Sequence, residues 1–177
     1  MLFRSLYDQA FKARHEDEEP GGGVIDEKWF KRRVLGALAL DTVKLDESYS
    51  IPLPEARQSI TRLLQGFEER GYGIDSISTA EVIRRLRELG HLTDSGETLR
   101  FEHDRWLEFF AARELVESEG SLGNVVSEEA RREIAFFAGA LSTIESEHQS
   151  QPEFWADFWK QVATLDPFWA LACRNQR

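Results

Sequence analysis

His103 is the residue whose type and setting could do chemistry, because it stands between two acids in Phe101-Glu102-His103-Asp104. Histidine changes its charge near neutral pH. Glu102 and Asp104 are its sequence neighbours, which does not define a pair of catalytic carboxylates held across a substrate. The histidine lies where a short strand is predicted to give way to an apolar helix. At such a junction the ring either reaches a ligand or bonds a nearby backbone group.

Motifs of common enzyme sites are absent from the sequence. It contains no G-x-x-x-x-G-K-[ST] phosphate loop, no G-x-G-x-x-G, no H-E-x-x-H and no G-x-S-x-G. The glycines at 21–23 follow no predicted strand and precede no Lys-Ser/Thr pair, which indicates a linker. The histidines are too widely spaced to suggest a metal site; they are His15, His91, His103 and His148. We therefore predict no enzyme, no catalytic residue, no metal and no cofactor within this chain.

Charged and aromatic residues follow His103 on the predicted helix. Arg105 and Glu108 are predicted to face solvent, since an exposed ion pair between them would contribute little. Trp106, Phe109 and Phe110 could stack on nucleic-acid bases, but aromatic residues at helical spacing more often pack in a core. We assign these three to the core.

The first part of the chain is predicted to be helical. Residues 1–19 are expected to form an N-terminal helix and 20–25 a glycine-rich linker, because glycines and a proline follow an acidic run. A helical unit is predicted over 26–73 from apolar residues that recur every three or four positions. Its first helix should end near Asp41. The stretch 42–54 is predicted to be a loop, because its prolines restrict the backbone and lack a donor.

The middle of the chain predicts a winged helix over 74–118. Ser78 or Thr79 can cap a helix there. A hairpin is then expected near 91–102, where turn residues separate two short strand candidates. Two helices followed by a hairpin predict a winged helix-turn-helix. The apolar helix that starts at Asp104 is expected to be buried on most sides.

A C-terminal helical region is predicted over 124–177, with helix starts at Ser127, Pro152 and Pro167. Phe168 and Trp169 near its end need a surface to pack on, which suggests that the region continues in a further segment or docks a protein partner. The fold class is thus mainly α: a helical unit, a winged helix-turn-helix with one β-hairpin, and the start of an α-helical scaffold.

Composition narrows the partners. The net charge of −10 repels phosphate backbones and disfavours DNA. Cys173 is the only cysteine, so the chain forms no internal disulfide, as expected of a cytoplasmic protein. Its longest uninterrupted apolar stretch is 34–40, far shorter than the roughly 20 residues that span a bilayer, so no membrane partner is predicted.

The run Leu99–Ala112 resembles the end of the winged-helix domain in NACHT-type STAND NTPases, the NOD-like-receptor group. That family's pattern is an aromatic residue, any residue, His, three residues, an apolar residue, Glu, two aromatic residues and Ala-Ala. Arg132–Leu141 is similar to the helix that opens the superhelical region after the wing. Leu6–Phe11 and Val34–Ala39 are similar to the helical domain before it.

This resemblance implies a regulatory role in signal transduction. In the family, the histidine that matches His103 contacts the phosphate of bound ADP and couples nucleotide state to domain arrangement. The phosphate loop, the acidic magnesium motif and the nucleotide-binding sheet are absent here. The resemblance therefore implies that ADP or ATP belongs to a parent protein, and that a P-loop ATPase domain joins this segment in cis or in trans. Homo-oligomerisation is also implied.

Two alternatives stay open. The first is a winged-helix DNA-binding transcriptional regulator, whose helix and wing would use basic residues. These are Arg84, Arg85, Arg87 and Arg100. Acidic residues on the same helix and wing weaken that basic surface. The second is a helical adaptor whose aromatic C-terminus binds a protein partner.

Overall fold

The computed structural model describes residues 27–45, 48–72, 77–144, 152–167 and 170, and within them the chain is mainly helical with a small antiparallel sheet. The mainly α class is thus confirmed. The predicted N-terminal helix, the linker and nearly all of the helix predicted from Pro167 lie outside these residues.

Helix α1, Glu27–Leu45, runs past its predicted end. Val34, Leu35 and Leu38 are buried at helical spacing. The helix continues for four residues beyond Asp41, through a buried Thr42 whose hydroxyl donates to the Leu38 carbonyl at 2.7 Å. That local bond satisfies the polar group within the helix and allows it to stay buried.

The sheet contains a strand that we did not predict. Strand β1, Ser50–Pro52, lies in the stretch predicted to be a loop, and it pairs antiparallel with β3, Thr98–Phe101. Strand β2, Leu92–Asp94, pairs with the other side of β3. The prediction was wrong because β1 is an edge strand of the sheet. The proline at its end is tolerated there, since the N–H group that it lacks is not needed for a second strand. The pairing of β1 with β3 joins the segments before and after residue 73 in one sheet.

Helices α2, Leu53–Glu69, and α3, Thr79–Glu88, lie between β1 and the hairpin. Pro54 stands in the first turn of α2, where its missing N–H costs nothing. Ser78 caps α3 as predicted, and its hydroxyl accepts from the Glu81 amide at 3.2 Å. Gly90, with φ of 71°, then turns the chain into the predicted hairpin.

Helix α4, Asp104–Glu117, lies at the centre of the described fold. It packs against α1 on one side and against α5, Glu128–Ile144, on the other. A 3₁₀ turn, Leu122–Asn124, and α6, Pro152–Leu165, complete the described elements. Between Trp106 and Val116 every residue of α4 is buried or half-buried, which confirms that this helix is enclosed on most sides. No helix within the described ranges is both long and apolar enough to cross a bilayer.

Candidate functional site

His103 lies at the N-cap of α4, directly after β3. Its backbone is extended, with φ of −134° and ψ of 129°, and its carbonyl accepts from the amides of Trp106 at 3.0 Å and Leu107 at 3.3 Å. The imidazole makes no capping hydrogen bond to the helix, and the residue is exposed. The sequence left open a ring that bonds a nearby backbone group, and the side-chain cap of α4, one such bond, is not formed.

Trp106 is the aromatic neighbour of His103. The two ring centroids are 4.9 Å apart in a T-shaped arrangement with an interplanar angle of 80°. Residues three positions apart lie on one face of a helix, so the first turn of α4 brings these side chains together. The same indole lies 5.3 Å from the ring of His91. These three residues form an aromatic cluster, which we call the His-Trp-His cluster.

His91 is the half-buried member of the His-Trp-His cluster. Its Nδ1 atom is buried without a hydrogen-bond partner, and burial together with the nearby Lys31 lowers the pKa of the imidazole. The lowered pKa favours the neutral form of the ring. The His91 carbonyl accepts from the Glu102 amide at 3.1 Å, which ties the residue before His103 to the start of β2.

Two acidic residues flank His103 at the N-terminus of α4. Asp104 accepts from the Arg100 guanidinium at 3.1 Å, which offsets its charge, and Glu102 is exposed. The positive end of a helix dipole and the first unbonded amides favour an anion at such a place. An exposed imidazole beside this helix end has the chemistry to donate to a phosphate oxygen.

Glu108 is buried, so our prediction that it faces solvent was wrong. It is only 4% exposed, between α4 and α5, and its Oε2 lies 3.1 Å from Nη1 of Arg105. Arg105 also pairs with Glu133 of α5 and so bridges the two helices. Burial raises the pKa of Glu108 to about 7 despite this guanidinium. The Arg-Glu spacing was visible in the sequence, but the burial was not, because it comes from the packing of α5.

Tyr49 completes the polar surroundings of Glu108. Its φ of 54° is unusual for a residue with a side chain. Burial and the carboxylates of Glu108, Glu129 and Asp104 raise the pKa of its phenol to about 12. The phenol is therefore neutral at physiological pH. Sequence reasoning missed this residue because it lies in the segment predicted to be a loop.

The arginines of the predicted DNA-binding surface are engaged with acids. Arg84 pairs with both Glu81, at 2.9 Å, and Glu88 of the same helix. Arg87 reaches Asp94 on the hairpin at 2.9 Å. Arg85 lies 3.9 Å from Glu81, and Arg100 pairs with Asp104. Each of these four arginines thus has an acidic side chain within 4 Å, which offsets its charge.

The remaining site predictions concern core aromatics, metals and the C-terminus. Trp106, Phe109 and Phe110 are half-buried and pack against the core, as expected for structural aromatics. Among the described residues, no group of three or more His, Cys, Asp or Glu side chains is placed to hold a metal ion. The partner surface predicted at Phe168 and Trp169 lies outside the described residues.

Comparison of the chain with models of protein families, with curated proteins and with solved structures finds no match.

Proposed function

We propose that this chain is a regulatory segment of a NACHT-type STAND signalling ATPase, and that His103 senses the phosphate of a nucleotide held by a P-loop domain. The observation that carries the proposal is the placement of His103. Its imidazole is exposed at the N-terminus of α4 and is not used to cap that helix. The nucleotide itself is supplied by the P-loop domain, in cis or in trans.

The topology of the sheet supports a winged-helix assignment for this segment. Helices α2 and α3 precede a hairpin, and β1 adds a third strand to it in the order β1-β3-β2. A winged helix places a hairpin after a helix-turn-helix in the same way. The boundaries of the helical unit and the winged helix, 26–73 and 74–118, stay predictions.

The proposed mechanism is a latch that distinguishes two nucleotide states. In the ADP state, the His103 imidazole donates to a phosphate oxygen, and the helix dipole of α4 adds to the attraction. Exchange of the nucleotide removes that contact and releases the segment for oligomerisation. Such a latch works only if the two nucleotide states bind it unequally.

The test measures ADP release from the parent protein, in which this segment is joined to its P-loop domain. A hydrogen bond to a charged group contributes about 1.5–3 kcal/mol, so His103→Ala should release ADP roughly 10 to 100 times faster. It should also raise basal oligomerisation. Glu102→Gln is the matched control, because it changes an exposed neighbour and leaves the imidazole intact. Equal ADP release from wild type and His103→Ala would refute the proposal.

A further inference from the structure

We infer that Trp106 is the positioning residue for His103, and that its indole holds the imidazole in one orientation at the N-terminus of α4. The effect of Trp106 on nucleotide sensing rests on the proposed function of His103. Its geometric part concerns only this chain and can be tested without a nucleotide.

The rings of His103 and Trp106 are in direct contact. With centroids 4.9 Å apart and planes at 80°, the edge of one ring meets the face of the other. This is a preferred arrangement for aromatic pairs. An exposed histidine would otherwise sample its three χ1 rotamers, and the contact selects one of them.

Trp106 is itself held in place by its neighbours. It is half-buried and packs against the hydrophobic core, and its ring also contacts His91. His91 is in turn tied to Glu102 through the backbone bond at 3.1 Å. Trp106 therefore offers His103 a fixed surface.

His91, the third ring of the cluster, is half-buried, unlike His103. Burial lowers the pKa of the His91 imidazole, which disfavours a positive charge on that side of the indole. The His-Trp-His cluster thus combines a half-buried imidazole, a fixed indole and one exposed imidazole. His103 is the exposed member of the cluster.

The first experiment records NMR spectra of the histidine rings in the 177-residue chain. The ring current of Trp106 should shift the His103 ring protons away from the values of a free imidazole. Trp106→Leu should abolish that shift, and Trp106→Phe should retain part of it. Phe110→Leu is the matched control, because Phe110 is another half-buried aromatic of α4 that contacts Phe101 instead. Unchanged His103 signals in a folded Trp106→Leu variant would overturn the inference; if that variant unfolds, the Trp106→Phe comparison decides.

The second experiment measures ADP release from the parent protein. Because roughly three rotamers become accessible, Trp106→Leu should release ADP up to about three times faster, with Trp106→Phe between it and wild type. Adding Trp106→Leu to His103→Ala should cause no further increase. If His103→Ala accelerates release and Trp106→Leu does not, the positioning role fails and the proposed function stands. If His103→Ala has no effect, the proposed function fails, and the NMR comparison separately decides whether Trp106 orients the ring.

Discussion

Gly36 of α1 lies so close to Glu114 of α4 that a Cβ atom at position 36 would stand 2.8 Å from Glu114 Oε2 and 3.2 Å from its Cβ. The carboxylate is held there by Arg33, whose Nη1 lies 3.1 Å from Oε2. Arg33 also pairs with Glu117 one turn later. The close approach of α1 and α4 therefore depends on the absence of a side chain at Gly36.

Replacing Gly36 by alanine should destabilise the fold. The added methyl group would displace a carboxylate fixed by an ion pair, and overpacking of this kind costs about 1–3 kcal/mol. Gly66→Ala is the matched control, since Gly66 is also helical and nothing lies within 4 Å of the added Cβ. It should stabilise the chain by about 0.5–1 kcal/mol through helix propensity. Urea unfolding measures both. Equal stabilisation by the two substitutions would show that Glu114 moves aside freely.

Glu108 should make the stability of the chain depend on pH. Its pKa is about 7 in the folded chain, against an ordinary value of 4.5. Between these values the folded state holds a proton that the unfolded state has released, so the free energy of unfolding falls as the pH rises from about 4.5 to about 7. Glu108→Gln removes this titration. From pH 5 to pH 8, the free energy of unfolding of wild type should therefore fall by on the order of 2 kcal/mol relative to that of the Glu108→Gln variant.

Urea unfolding of wild type and Glu108→Gln across that pH range checks the prediction. Comparing the two chains cancels the contributions of the other carboxylates. The absolute stability of the variant is not the readout, because glutamine also loses the charge that pairs with Arg105. Parallel curves for the two chains would show that Glu108 does not titrate in this range.

Local signals in the sequence were enough to predict several elements. Helix α1 followed from apolar residues at helical spacing, α3 from the cap at Ser78, and the hairpin from the turn between β2 and β3. Strand β1 could not be found in this way. Its three residues have no pattern of their own and become a strand only through pairing with β3, which is far away in sequence.

The candidate site was predicted in part. The position of His103 at the start of α4 followed from the change between strand and helix patterns. Its contact with Trp106 follows from the helical spacing, although we assigned Trp106 only to the core. The environment of Glu108 was missed, because its burial depends on the packing of α5 and on Tyr49. Local periodicity contains no information on such contacts.

Gln161 should anchor α6 to the rest of the fold. Its side-chain oxygen accepts from the Ser121 hydroxyl at 3.0 Å and the Gly123 amide at 3.2 Å, while its amide donates to Asp157. Gln161→Ala should cost about 1 kcal/mol and raise hydrogen exchange mainly in α6, where local opening becomes easier. The exposed Lys160→Ala is the control and should leave exchange unchanged. A uniform rise across all helices would argue against a local anchor.

The chain should not bind duplex DNA. Acidic partners weaken the attraction of an arginine for phosphate, and Arg84 on the exposed face of α3 is engaged by Glu81 and Glu88. Fluorescence anisotropy of a labelled duplex at low salt should therefore show no change with wild-type protein.

Removing the acids of these ion pairs should give the chain a weak affinity for DNA. The double variant Glu81→Gln, Glu88→Gln releases the Arg84 guanidinium and removes two negative charges from α3. It should gain weak binding to the duplex that declines as salt is raised, because such binding depends on the release of counterions. Adding Arg84→Glu should abolish that gain. Binding by the wild-type chain that is lost in Arg84→Glu would instead favour the DNA-binding regulator over the nucleotide-sensing segment, because it would mean that the ion pairs on α3 open when DNA is present.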